Sequence, residues 1–344
     1  MKRAETYDVV IVGAGPAGLS AALVLGRACR RVLLCDNDTP RNGPSKAIYG
    51  FLTRDGMAPA DFREAARLEM LRYRNISRAK AEVSSAKKLA AGTFRVRVGR
   101  RAVTSRKLLI ATGVVDQLPE IPGIEAFFGT SVFQCPYCDG WELREAPVAV
   151  YGKAQSALEI ARSLTGWTKD IALCTHGRGK ISSSDRLSLE RNDIRIFEQP
   201  ITALRGVRGK LDALEFANGQ VLERSALFFD TSCVGRSELA ASLGCQFNRR
   251  GGIRCGQYEA TSVAGVFVAG NVIKDVQLSI VAAGEGARAA FGINRALTRE
   301  DFDLRASGVR RIEHPSMTSS PTQQRRAPPS RSRRNGDARA SRFR

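Results

Sequence analysis

The stretch Tyr7-Asp8-Val9-Val10-Ile11-Val12-Gly13-Ala14-Gly15-Pro16-Ala17-Gly18 decides the fold of this chain. Its first half is a short apolar run typical of a buried strand, and the apolar residues that follow it are typical of a helix. A strand, a Gly-x-Gly-x-x-Gly turn and a helix in this order predict a dinucleotide-binding unit. Gly13 permits the tight turn, Gly15 lets the backbone approach a pyrophosphate, and Gly18 lets helix and strand pack closely.

The residues that follow extend this first unit. The next strand pattern, 31–35, ends at Asp36, where an acid is placed to accept hydrogen bonds from ribose hydroxyls. A turn-rich loop around Asn42 leads to a helix pattern over 60–70 with a charged outer face. Alternating apolar residues between 79 and 108 then predict a small antiparallel sheet.

A second motif is Cys135-Pro136-Tyr137-Cys138-Asp139-Gly140. Two cysteines two residues apart can close a small disulfide ring that accepts two electrons and returns them by thiol exchange. Asp139 can carry the proton that each exchange step needs. A zinc site would need two further ligands. Because there is no second Cys-x-x-Cys and only two histidines, no metal is predicted.

The third motif is a degraded copy of the first. A strand pattern at 148–151 leads into Gly152-Lys153-Ala154-Gln155-Ser156-Ala157, in which two of the three glycines are replaced. This copy predicts a nicotinamide-dinucleotide site, and the alternative is a βαβ unit that has lost its ligand. The following strand ends at His176-Gly177-Arg178, which is either a site for the 2′-phosphate of NADP or a solvated basic loop.

The end of the folded region returns to the first unit. Strand patterns at 194–197, 201–204, 211–216 and 226–230 precede a strand and turn over 261–271, and a helix rich in small residues is predicted over 276–297. The predicted fold class is α/β, with two Rossmann-like, three-layer ββα dinucleotide-binding domains, the second inserted in the first. The predicted domains are a dinucleotide-binding domain of 1–116 with 236–304, an inserted domain of 117–235 with the second dinucleotide motif and the cysteine pair, and a tail at 305–344.

The composition agrees with a globular enzyme that carries a basic tail. The chain has 344 residues and 43% apolar content, and no apolar run long enough to span a membrane. No signal-peptide core follows Met1, so the expected location is cytoplasmic. The six other cysteines are then expected to be buried small hydrophobes.

The charge of this chain is concentrated at its end. The formal net charge is +20, and residues 305–344 contribute eleven arginines against two acids, which is +9. So few apolar residues occur there that the tail is predicted to be disordered. A basic tail can contact nucleic acid, but with Phe343 as its only aromatic residue a specific nucleic-acid function is not expected.

These motifs span residues 7–297 and, in this order, resemble low-molecular-weight, bacterial-type thioredoxin reductases and their thioredoxin-reductase-like relatives. The resemblance implies FAD on the first unit, NADPH on the second, a homodimer and a thioredoxin-like partner. It also implies that Cys138 lies against the flavin, that Cys135 attacks the external disulfide and that Asp139 is the acid/base. The implied FAD residues are Gly13, Gly15, Pro16, Ala17, Gly18, Asp36, Asn42, Ala111, Thr112, Gly113, Gly270, Asn271 and Gln277. The implied NADPH residues are Gly152, Ser156, Ala157, Glu159, His176 and Arg178.

Three departures from the family pattern keep alternatives open. Asn271 replaces an aspartate, Ala154 replaces the middle glycine of the second motif, and Gly177 interrupts a His-Arg-Arg signature. The predicted function is electron transfer from NADPH through FAD and the Cys135–Cys138 disulfide to a protein disulfide such as that of thioredoxin. The first alternative is a flavin-dependent oxidase of a small dithiol that uses oxygen and no nicotinamide. The second is a binding protein whose basic tail contacts nucleic acid.

Overall fold

The computed structural model describes residues 5–152, 154–177, 181–230 and 233–307. The strands are β1 (Thr6–Val12), β2 (Val32–Asp36), β3 (Ile76–Lys80), β4 (Val83–Lys88), β5 (Phe94–Val98), β6 (Arg101–Ile110), β7 (Val114–Asp116), β8 (Val132–Phe133), β9 (Val148–Tyr151), β10 (Ile171–Cys174), β11 (Arg195–Phe197), β12 (Ile201–Val207), β13 (Lys210–Phe216), β14 (Val221–Glu223), β15 (Ala226–Phe229), β16 (Cys233–Gly235) and β17 (Val266–Val268). The helices are α1 (Pro16–Arg27), α2 (Pro59–Met70), α3 (Pro136–Asp139), α4 (Ala154–Leu164), α5 (Ser183–Glu190), α6 (Leu239–Ser242) and α7 (Ser279–Ala306).

The first sheet has the strand order β3-β2-β1-β6-β5-β4. The four neighbouring strands β3, β2, β1 and β6 are parallel, and β17 also pairs parallel with the second half of β6. The first half of β6 pairs antiparallel with β5, which pairs antiparallel with β4. The small antiparallel sheet predicted between 79 and 108 is therefore present, but it shares β6 with the parallel sheet.

Both faces of β1 are buried, because three layers meet there. Val9 and Ile11 belong to a core that also contains α1 and α7 residues, whereas Val10 and Val12 belong to a core that contains Phe94 of β5. A strand that is covered on both faces has to be apolar at every position, which explains the unbroken apolar run in β1.

The second sheet repeats this three-layer plan. Its order is β11-β10-β9-β15-β8, and all of its pairs are parallel. On one face Val148 and Val150 pack in a core with residues of α4, and on the other Ala149 packs with residues of the antiparallel β12-β13-β14 sheet. The predicted α/β fold with two units of Rossmann type is confirmed, while the domain boundaries stay a prediction.

Short antiparallel strands join the two sheets. β7 leaves the first sheet region and pairs with β16, with Val115 opposite Val234. The cysteine pair therefore lies on a segment that is entered through β7 and left through β16.

Some sequence predictions differ from the structure. The last helix begins at Ser279 and continues to Ala306, well past the predicted end at 297, because no glycine or proline interrupts 293–307. The short strands β7, β8, β14 and β16 were not predicted. Burial of all six other cysteines is wrong for Cys29 and Cys255, which are exposed. Cys29 lies in a turn after α1 with a φ of 57°, and Cys255 lies in a loop before β17.

Two further findings concern the limits of the described chain. Residues 1–300 form one compact unit, and of the second unit, 301–344, only the end of α7 is described. Most of the predicted tail, 308–344, thus lies outside the described residues, as does Arg178. Among the described residues, no helix is both long enough and apolar enough to cross a membrane.

Candidate active site

The first glycine motif forms a tight turn between β1 and α1. Gly13 has a φ of 107°, and a Cβ atom there would lie 2.2 Å from the carbonyl oxygen of Ala111. A Cβ on Gly18 would lie 1.9 Å from the carbonyl oxygen of Gly13, so the helix can approach the turn only because Gly18 has no side chain. A Cβ on Gly15, by contrast, would meet no atom of another segment within 4 Å. The turn is thus closely packed at Gly13 and Gly18, whereas the space next to Gly15 is open.

A cavity of about 500 Å³ opens in front of this turn. It is lined by residues from both sheet regions, including the glycine turn and the redox cysteines. The predicted residues that line it are Gly13, Gly15, Pro16, Ala17, Asp36, Asn42, Ala111, Thr112, Gly113, Cys135, Cys138, Asp139, Gly270, Asn271 and Gln277. Gly18 lies buried in α1 behind the turn, where it serves packing.

The redox pair is closed as a disulfide on one wall of the cavity. Cys135 and Cys138 are disulfide-bonded, with 5.2 Å between their Cα atoms. Cys135 precedes the single turn of α3, and its carbonyl oxygen accepts the N–H of Cys138 at 3.0 Å. A Cβ on Gly140 would lie 2.5 Å from the Pro136 carbonyl oxygen and 2.9 Å from the Trp167 ring. Glycine at 140 therefore lets this turn pack directly on Trp167.

Asp139 has the electrostatic properties of a proton donor. Burial of its carboxyl group, followed by the nearby charge of Glu142, raises the pKa of Asp139 from 3.8 to about 7. A carboxylic acid with a pKa near neutrality can hold and release a proton at physiological pH. Tyr49 also lines the cavity, and its pKa is raised by burial first and then by Glu142 and Asp139.

The turn after β17 forms another wall. Gly270 has a φ of 82°, and its N–H donates to Oε2 of Glu285 on α7 at 2.7 Å. A Cβ on Gly270 would lie 3.1 Å from the Cβ of Ala17. This close contact places Asn271 beside the glycine turn, although the two are more than 250 residues apart and meet only through folding.

Several lining residues were missed by the sequence analysis. Arg63 donates to Asp36 at 2.9 Å and Arg236 donates to Thr39 at 2.8 Å, so both bring positive charge to the cavity. Arg41 and Gln134 line it as well. Their only sequence signal is adjacency, since Arg41 precedes the predicted Asn42 and Gln134 precedes Cys135.

The predicted residues of the second motif that the structure describes do not line this cavity. Ala157 is fully buried in the core between α4 and the second sheet. Glu159 is largely exposed and accepts from Arg162 at 2.9 Å. His176 accepts the N–H of Ile201 through Nδ1 at 3.3 Å. Gly152 and Ser156 lie close to the start of α4, and His176 follows the end of β10. The described second-motif residues thus lie near the ends of β9 and β10 and on α4, and they do not line the first cavity.

The fold and the site together define an oxidoreductase. The molecule has two dinucleotide-binding folds and a cavity in front of a glycine turn, with a disulfide and a proton donor on the cavity wall. These features are suited to two-electron exchange between a nucleotide cofactor and thiols.

Comparison with known proteins identifies the family. Residues 7–286 match the family model described as pyridine nucleotide-disulphide oxidoreductase, and the chain belongs to this family. The structure named HlmI is 36% identical, with a TM-score of 0.84 over 88% of this chain and 96% of that one. A putative thioredoxin reductase of Bacillus anthracis is 31% identical, with a TM-score of 0.82 over 86% and 100%. A probable thioredoxin reductase of Arthroderma benhamiae is 37% identical, over 54% of this chain and 47% of that protein.

Within the family the chain is thioredoxin-reductase-like, and its cofactors are FAD and NADPH. The residues around the first glycine turn fit FAD, because the space in front of Gly15 is open and Asp36 stands at the end of β2. A pyrophosphate is stabilised at such a helix N-terminus, and Pro16 is suited to the first position of α1, where a backbone N–H has no partner within the helix.

Proposed function

We propose that the chain catalyses the NADPH-dependent reduction of a protein disulfide, such as that of thioredoxin, through FAD and the Cys135–Cys138 pair. One observation carries this proposal: the glycine turn, both redox cysteines and Asp139 line the same cavity. A cofactor bound at the glycine turn would share this cavity with both cysteines. The proposal includes the division into an FAD domain, 1–116 with 236–304, and an inserted NAD(P)H domain, 117–235.

The cofactors and the chain have distinct tasks in this proposal. FAD, when bound, would supply two-electron transfer between NADPH and the Cys135–Cys138 disulfide. The glycine turn, Asp36 and Asn271 hold the FAD, while Gly152, Ser156 and the loop at His176 hold NADPH. Cys138 receives the two electrons, its bond to Cys135 breaks, and two protons taken up from solvent leave both cysteines as thiols.

The outward step is a thiol–disulfide exchange. Cys135 first releases its proton to solvent. The resulting thiolate attacks one sulfur of the substrate disulfide, so that bond breaks and a mixed disulfide forms. The departing thiolate takes a proton from Asp139. Cys138 then gives its proton to the Asp139 carboxylate and attacks the sulfur of Cys135. This attack re-forms the Cys135–Cys138 disulfide and releases the second substrate thiolate, which solvent protonates. The substrate gains two electrons and two protons, and the cysteine pair is oxidised.

An anaerobic titration of the purified flavoprotein with NADPH tests this assignment. The wild-type protein should consume about two equivalents before the flavin absorbance is fully lost, because the flavin and the disulfide each take two electrons. Cys135→Ser and Cys138→Ser should each consume about one equivalent and lose all turnover. Cys255→Ser is the matched control, since Cys255 is an exposed free cysteine that does not line the cavity, and it should behave as the wild type.

The substrate and the direction of electron flow are tested by turnover. Thioredoxin should be reduced at the expense of NADPH, and a flavin that NADPH leaves unchanged would overturn the proposal. If NADPH bleaches the flavin but thioredoxin stays oxidised, the thioredoxin assignment is wrong. Oxygen uptake with a small dithiol that does not depend on NADPH would instead support the dithiol oxidase. The homodimer and the cytoplasmic location stay predictions.

A further inference from the structure

Gln134, the residue directly before Cys135, is tied to a buried carboxylate. Its Nε2 atom donates to Oδ2 of Asp116 at 3.1 Å. Asp116 ends strand β7, and its side chain is only 5% exposed. Arg41 holds the same carboxylate in a two-pronged contact, from Nε at 2.8 Å and from Nη2 at 2.5 Å. Its remaining nitrogen, Nη1, donates to Oε1 of Gln277. We call Arg41, Asp116, Gln134 and Gln277 the Asp116 cluster.

The charge of Asp116 determines which way the Gln134 amide points. An ionised carboxylate only accepts hydrogen bonds, so the amide has to present its nitrogen rather than its oxygen. The amide oxygen of Gln134 is buried and accepts no hydrogen bond from the described residues. An unpaired buried acceptor costs stability. The glutamine thus keeps its bond to Asp116 while its own oxygen stays unpaired.

The cluster joins three distant segments to the redox pair. Arg41 follows β2, Asp116 ends β7, and Gln277 precedes α7, and the contacts of Arg41 span 75 and 236 residues along the chain. Arg41, Gln134 and Gln277 line the cavity together with both cysteines. Helix α3 is only four residues long. Its position therefore depends on the segment before it, which contains Gln134.

We propose that Asp116 and Gln134 are positioning residues, which hold the Cys135–Cys138 pair at contact distance from the cofactor that fills the cavity. The inference rests on the proposed function, because it requires electrons to pass between that cofactor and Cys138. Arg41 keeps the Asp116 carboxylate in place, Asp116 fixes the Gln134 amide, and one peptide bond connects Gln134 to Cys135. Reactions at contact distance are sensitive to small displacements, and a shift of about 1 Å can cost up to about 100-fold in rate.

Gln134→Leu removes the donor and nearly preserves the side-chain volume. We expect the flavin content and the thermal midpoint to stay close to the wild type. The rate at which electrons move between flavin and disulfide, measured anaerobically by rapid mixing with NADPH, should fall at least about tenfold. The long-wavelength absorbance of the Cys138 thiolate against oxidised flavin, after addition of one reducing equivalent, should fall as well. A residue with a merely structural role would leave that absorbance unchanged.

Two further variants make the test specific. Gln134→Asn keeps an amide but is one methylene shorter, so its rate should lie between those of the wild type and Gln134→Leu. Gln220→Leu is the control, because Gln220 is an exposed glutamine in the turn between β13 and β14, and it should match the wild type. If Gln134→Leu does not fold, Asp116→Asn takes its place. It weakens the contact with Arg41 and should lower both the rate and the absorbance.

The outcomes separate this inference from the proposed function. A wild-type flavin that NADPH does not bleach would overturn the proposed function. A wild type that bleaches normally, together with Gln134→Leu or Asp116→Asn variants of equal rate and equal long-wavelength absorbance, would overturn the positioning role alone.

Discussion

Asp139 combines a position beside Cys138 with a pKa of about 7. Asp139→Asn keeps the shape of the side chain but cannot exchange a proton. Thiol exchange with the substrate should therefore slow by about 100-fold or more, which is the usual contribution of a general acid. Flavin reduction by NADPH should be retained, and single-turnover measurements of the two half-reactions check this. In the wild type, the exchange rate should decline as the pH rises above about 7, and a decline of the same size in Asp139→Asn would contradict the acid role.

The same carboxyl group makes stability depend on pH. Its pKa is 3.8 without perturbation and about 7 in the folded protein, so the folded state binds a proton that the unfolded state releases between these values. The stability contribution is complete below pH 4 and is lost as the pH rises through 7. Asp139→Asn should consequently unfold like the wild type at pH 4 and be more stable at pH 8, by on the order of 2 kcal/mol. Denaturant unfolding of the oxidised protein at both pH values measures this, and a variant less stable at pH 8 would refute it.

The site residues that were predicted lie in short sequence motifs, whereas those that were missed do not. Gly13 and Asp139 belong to short motifs whose chemistry is local, so the sequence alone points to them. Arg41 and Asp116 are 75 residues apart, and neither sits in a motif. An isolated arginine on a loop has no local feature that distinguishes a cavity residue from a solvated one, so this pair becomes visible only when the fold brings the two side chains together.

Helices α1 and α7 meet through glycine, which offers a test at the level of elements. A Cβ on Gly286 of α7 would lie 2.0 Å from the carbonyl oxygen of Ala17, which also lines the cavity. Gly286→Ala should push the helices apart, cost about 1–3 kcal/mol of stability and lower the flavin content. Gly284 lies two residues earlier on α7, and a Cβ there would meet no atom of another segment within 4 Å.

Gly284→Ala is therefore the matched control for Gly286→Ala. It makes the same chemical change in the same helix, and alanine is favoured over glycine in a helix by about 1 kcal/mol. For Gly284→Ala, the stability measured by urea unfolding and the flavin-to-protein absorbance ratio should not fall as they do for Gly286→Ala. Each should be unchanged or should rise. Equal losses in both variants would show that alanine is unfavourable at both positions of α7 for a reason other than the contact between α7 and α1.

Elements with a strong pattern were predictable, and their connections were not. The β1–α1 unit has an apolar run, a glycine turn and a helix in sequence, and the structure has all three. The sharing of β6 between a parallel and an antiparallel sheet could not be foreseen, since strand pairing over long separations is set by packing rather than by local preference. The end of α7 was misplaced for a related reason, because a polar helix end resembles a loop in composition.

At the level of the whole molecule, we predict that the basic residues 308–344 can be removed without loss of catalysis. Residues 308–344 contain ten arginines and two acids, which is +8 of the net +20. All of the described residues that line the cavity lie before 283. A chain ending at Ser307 should thus keep its flavin content and its turnover of a small disulfide within about twofold, since short-range contacts and not distant exposed charges hold the site.

Nucleic-acid binding is the readout in which the full and shortened chains should differ. An unpatterned basic segment binds phosphates without sequence preference, and that binding weakens steeply with salt. The full chain is expected to retard labelled RNA at 50 mM salt and to lose about 1,000-fold in affinity at 200 mM, as for a segment that contacts six or more phosphates. The shortened chain should retard it more weakly at 50 mM. Retardation of one sequence that persists at 200 mM salt would instead assign a nucleic-acid function to 308–344. Because the enzyme assay is carried out on the same two proteins, a loss of turnover on shortening would show separately that these residues contribute to the site.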